Sequence, residues 1–107
     1  MLITSLLTND RVLLENRKDL FLRTSPHIIY FEIMCNTPST DLYIYINGTI
    51  YYSGYMRNAG QYNLRIPLFN LYAEKVCVDC GDSDVKISAI FNYDLSKTVS
   101  IIKRLFI

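Results

Sequence analysis

Alternation with a period of two dominates this chain. Tyr62, Leu64, Ile66 and Leu68 alternate with Asn63 and Arg65, and Val85, Ile87, Ala89, Phe91 and Tyr93 alternate with Lys86, Ser88 and Asn92. Successive side chains of an extended strand point to opposite faces, so each run predicts a strand with one buried and one wet face. Ile29, Phe31, Ile33 and Cys35 repeat the pattern against Tyr30, Glu32 and Met34, following the break at Ser25-Pro26. Less regular apolar runs predict further strands at 2–8, 11–15, 19–23 and 75–79. Pro67 has no N–H to give to a ladder, so it marks a sheet edge or the end of its strand.

The strongest local signal is Leu42-Tyr43-Ile44-Tyr45-Ile46, then Asn47-Gly48, then Thr49-Ile50-Tyr51-Tyr52-Ser53. Asn-Gly favours the positive φ angles of a type I′ turn, whose twist matches two antiparallel strands. The two-residue turn sets Ile46 opposite Thr49, Tyr45 opposite Ile50, Ile44 opposite Tyr51 and Tyr43 opposite Tyr52. One hairpin face then carries Leu42, Ile44, Ile46 and Tyr51, the other Tyr43, Tyr45, Ile50 and Tyr52. Both faces are apolar or aromatic, whereas a ribbon covered on one side alternates apolar with polar. The second face is therefore expected to be covered as well, either by the chain's own core or by another molecule. Its four residues, Tyr43, Tyr45, Ile50 and Tyr52, are the candidate binding residues.

Turn residues separate the runs at Thr8-Asn9-Asp10, Asn16 to Asp19, Asn36 to Ser39, Arg57 to Gly60 and Gly81 to Asp84. Breaks this regular predict an all-β fold: an antiparallel β-sandwich of about eight strands, immunoglobulin-like or jelly-roll in topology. In the last segment, Leu95, Val99, Ile102 and Phe106 fit a helical stripe, while the β-branched Thr98, Val99, Ile101 and Ile102 favour a strand. We read a strand.

Composition narrows the class. The 107 residues are half apolar and one-fifth charged, which predicts a single packed domain over 1–107. Eleven Lys and Arg against ten Asp and Glu leave a net charge of +1, too little to gather phosphates by counterion release, so a nucleic-acid partner is not expected. Arg17-Lys18 and Lys103-Arg104 read as solvated positions. No apolar run reaches the ~18 residues of a membrane span, and no membrane partner is expected. The first residues lack the basic region and long apolar stretch of a secretory signal, so the expected location is the cytoplasm or an assembled particle. Asn47-Gly48-Thr49 also matches a glycosylation sequon, but the turn is the better reading.

Chemistry is sparse. His27 is the only histidine and no nucleophile elbow, metalloprotease helix or phosphate loop is present, so no enzyme and no catalytic residue is expected. Asp79, Asp82 and Asp84 surround Gly81, but without the spacing or terminal Glu of a calcium loop they read as a solvated turn. Cys77-Val78-Asp79-Cys80 is half of a zinc signature, and Cys35 and His27 would complete four ligands. Residues three apart on a strand point to opposite faces, so the cysteines read as structural thiols; no metal, cofactor or small-molecule ligand is expected. The three cysteines of a chain without a visible leader read as reduced.

Tyrosine supplies rigid area with a polar tip, which suits a protein interface and can also stack on a sugar or an unpaired base. The expected function is a non-enzymatic structural or interaction subunit that self-associates or docks into a larger assembly, a virus or phage particle being one example by analogy of fold and size. The alternative is a ligand-binding β module presenting the hairpin tyrosines to a glycan or single-stranded nucleic acid.

Overall fold

The computed structural model describes residues 10–93. Among them are eight strands and no helix: β1 (Asp10–Leu14), β2 (Leu20–Phe21), β3 (Ile28–Cys35), β4 (Thr40–Ile46), β5 (Thr49–Met56), β6 (Gly60–Pro67), β7 (Lys75–Asp79) and β8 (Val85–Asn92). The strands expected at 2–8 and in 94–107 lie outside the described residues. No described helix is long and apolar enough to cross a membrane.

The strands form two four-stranded antiparallel sheets, ordered β1-β8-β3-β6 and β2-β7-β4-β5. Pairing is nested: β1 lies beside β8, β2 beside β7, β3 beside β6 and β4 beside β5. Alternation along the strands decides the packing. Ile29, Phe31, Ile33, Ile87, Ala89 and Phe91 point inward from the first sheet, and Leu42, Ile44, Ile46, Val76 and Val78 from the second, into one cluster. The all-β sheets thus pack in a sandwich-like way, and each large aliphatic side chain so buried contributes about 1.5–3 kcal/mol. Pro67 closes β6, an edge strand, as its missing N–H requires.

The hairpin keeps the expected register only near its turn. Asn47 and Gly48 have φ of 54° and 81°, and Ile46 faces Thr49 and Tyr45 faces Ile50. A bulge then admits Tyr51 as an extra residue, so Ile44 faces Tyr52 rather than Tyr51, and Tyr43 faces Ser53 rather than Tyr52. One extra residue reverses every later side chain. Tyr52 therefore turns inward against the core, not outward with Tyr43 and Tyr45. Its ring lies over Gly54, where a Cβ would come within 2.7 Å of it. Tyr51, expected beside Leu42, Ile44 and Ile46 on the inner face, is instead 40% exposed and donates its hydroxyl to the Pro67 carbonyl at 3.0 Å.

Asn47 also ties the hairpin tip to the segment before β7. Its side-chain amide donates to the Tyr72 carbonyl at 2.8 Å, and its N–H donates to the Lys75 carbonyl at 3.0 Å. The turn reading of the sequon residue is thus the structural one. Deeper in the molecule, the buried Ser25 hydroxyl accepts the Ala73 N–H at 2.8 Å, anchoring the same segment from below.

Candidate functional site

Of the four candidate residues, three share one surface. Tyr43 and Tyr45 stand outward on β4, half-buried, because Leu42, Ile44 and Ile46 take the inner positions between them. Ile50 faces Tyr45 across the ladder and is 52% exposed. Tyr52 is not part of this surface, for the register reason above. Among the described residues no element of this chain lies over Tyr43, Tyr45 and Ile50, because the other sheet packs on the opposite side of β4.

The surface extends beyond the expected residues. Tyr55, two residues past Ser53, points the same way and is 59% exposed. Phe21 on β2 lies opposite Lys75 and is 73% exposed, and Cys77 on β7 lies opposite Tyr45. Tyr55 was legible in principle by following the outward alternation past the bulge. Phe21 had no local signal, since it reaches the face only through pairing of β2 with the distant β7. The outer face of the first sheet is mixed: Arg11 pairs with Glu32 among Asn63, Arg65, Lys86 and Ser88, beside the half-buried Tyr30 and Ile90 and the exposed Leu13 and Met34. Both outer faces are mixed, but aromatic rings concentrate on the second, where Tyr43, Tyr45, Tyr55 and Phe21 stand among Asp41, Lys75 and Asp79.

At one end the aromatic face meets a polar groove of about 320 Å³, lined by Arg17, Thr40, Asp41, Tyr43, Asp79 and Asp82. Arg17, exposed as expected of a solvated position, donates from Nε to Asp79 at 3.0 Å and lies 3.5 Å from Asp82. Asn16 holds this end together, accepting the Cys80 N–H at 2.9 Å and donating to the Gly81 carbonyl at 2.7 Å. The Gly81 N–H on the Asp79 carboxylate lowers its pKa, with Arg17 adding to the effect against the opposing burial. The same pairing raises the pKa of Arg17. Asp79 and Asp82 therefore meet around Arg17, while the Asp84 N–H donates to the Thr37 hydroxyl at 2.9 Å.

The cysteines split as strand geometry requires. Cys77 faces outward, half-buried, and Cys80 faces the core. Burial pushes the Cys80 thiol up to about 11, with the charge of Asp79 and the nearby Cys35 adding to it. Burial first, then Asp19 and Asp79, raises Cys77 as well. His27 precedes β3 and Cys35 ends it, so the length of a strand separates two of the four soft ligands. Among the described residues no three His, Cys, Asp or Glu side chains gather as a metal site.

No protein-family model, curated protein sequence or solved structure matches this chain.

Proposed function

We propose that this chain is a non-enzymatic structural subunit that packs into a larger assembly, a virus or phage particle being one such setting, through the outer face of Tyr43, Tyr45, Ile50 and Tyr55. The contrast between the two outer faces carries this reading. Both belong to sheets whose inner sides are buried alike, yet among the described strands four aromatic rings stand on the outer face of the second and one, Tyr30, on that of the first. Contiguous apolar surface of this kind on a folded chain marks a place where another surface sits, and tyrosine is favoured there for its area and low entropy cost. Nested pairing of the first described strand with the last, across two sheets, is what results from rolling one long antiparallel hairpin into two layers. It supports a jelly-roll over an immunoglobulin-like topology, and jelly rolls recur in capsid and lectin domains, a link by analogy.

One observation favours the ligand-binding alternative: Tyr43 borders the groove holding Asp41, Asp79 and Arg17, and an aromatic ring beside carboxylates suits a glycan. Sedimentation of the wild-type chain and of Tyr45→Ser over rising concentration, beside melting curves, separates the two. Assembly through the face requires a self-associated species at high concentration that Tyr45→Ser removes while melting within about 5 °C of wild type. If wild type forms no such species and instead binds an oligosaccharide in a Tyr43-dependent manner, the ligand-binding alternative replaces assembly.

A further inference from the structure

We infer that β5 is a self-recognition edge: two copies of this chain pair their β5 strands antiparallel about a two-fold axis near Ser53 and Gly54, joining their second sheets into one. The inference rests on the assembly role proposed above and names one partner for it.

Among the described residues four strands stand at sheet edges, β1 and β6 in one sheet, β2 and β5 in the other. An edge strand leaves N–H and C=O groups free to pair with another chain, and proteins block such edges with charge, proline or brevity. Three of the four are blocked in these ways. β1 begins with Asp10 and Arg11, β6 carries Arg65 and ends at Pro67, and β2 has two residues. β5 is eight residues long, with neither a charged residue nor a proline. Its one protection is at the hairpin end, where the bulge at Tyr51 and the bond from Tyr51 to Pro67 close the edge against the other sheet. Past the bulge, pairing with β4 is regular through Met56, and Ser53 and Tyr55 are exposed.

Charge selects a second copy as the occupant. A two-fold axis sets residues near it against their own copies, so a charged strand would repel itself. β5 brings no charge to the axis. The next residue along, Arg57, lies three positions from Gly54, so the two arginines stand about 20 Å apart, beyond two Debye lengths at physiological salt. The pairing also sets the two tyrosine faces side by side on one continuous sheet. So short a strand pair covers less than the ~800 Å² per partner of a standard interface, which makes the dimer weak and concentration-dependent.

Charge exchange at Ser53 tests the edge. Ser53 is exposed, so Ser53→Lys and Ser53→Glu should fold, which melting curves verify. Wild type is expected to dimerise as concentration rises. Each charged variant alone should dimerise at least 10-fold more weakly, and an equal mixture of the two should recover a heterodimer, read by native mass spectrometry. A monomeric wild type, or single variants that dimerise like wild type, would overturn the inference. Ser53 lies opposite Tyr43 on the tyrosine face, so Tyr45→Ser separates edge from face: a dimer kept in Tyr45→Ser and weakened in both Ser53 variants supports the edge, and loss of dimer in Tyr45→Ser refutes the edge and leaves the face standing. Dimers that persist in Tyr45→Ser without larger species in wild type would keep the edge and count against the face.

Discussion

The side-chain oxygen of Asn47 accepts the backbone N–H of Glu74 at 2.7 Å, and that of Lys75 at 3.3 Å. One residue thus both makes the hairpin turn, at φ 54°, and fastens it to the start of β7. The two roles separate by mutation. Asn47→Gly keeps the left-handed conformation and loses the side-chain bonds, which should cost about 0.5–1.5 kcal/mol. Asn47→Ala also forces a Cβ into that conformation and should cost about 1 kcal/mol more. Urea midpoints at unchanged m decide: equal losses would mean that backbone strain adds nothing.

Gly48 isolates the turn conformation itself. At φ 81° its added Cβ would meet only Lys75, at 3.9 Å, so space is not the constraint. Gly48→Val should cost roughly 1–3 kcal/mol from the conformation alone. A melting temperature equal to wild type would contradict the observed turn.

Asp79 gives stability a dependence on acid. Its pKa is lowered by the Gly81 N–H and by Arg17. A depressed carboxylate contributes fully above its unfolded value, about 3.9, and its contribution is lost as pH falls through the folded value. Asp79→Asn should therefore flatten the acid limb of a stability profile below about pH 4, while its difference from wild type is constant from pH 5 to 8. A parallel pair of acid limbs would remove Asp79 from that role.

The thiols should titrate in order of exposure. With a maleimide under native conditions at pH 8, half-exposed Cys77 is expected to react first, and Cys35 and Cys80 only on unfolding. The raised pKa of Cys80 adds stability that is present below its ordinary value and lost as pH rises toward about 11. Cys80→Ala should weaken that alkaline loss. Mass mapping that finds Cys80 modified before Cys77 would show that the core opens around it.

What local pattern determines here is the strands and their two sides. Alternation placed Ile29, Phe31 and Ile33 inward and Glu32 outward, Pro67 at an edge and Asn47-Gly48 in a type I′ turn, because side-chain direction and turn angles depend on neighbouring residues alone. It could not register the bulge at Tyr51, since Tyr51 and Tyr52 are chemically identical and only packing of Tyr52 over Gly54 and the bond from Tyr51 to Pro67 distinguish them. Nor could it place Phe21 beside the hairpin tyrosines or Arg17 on Asp79, because each depends on residues more than fifty positions apart meeting through sheet order. The sequence by itself determined which side chains seek a core and where the chain turns. The tertiary structure decided which tyrosines share the outer face and which edge is left open, because both depend on strand pairing between distant segments.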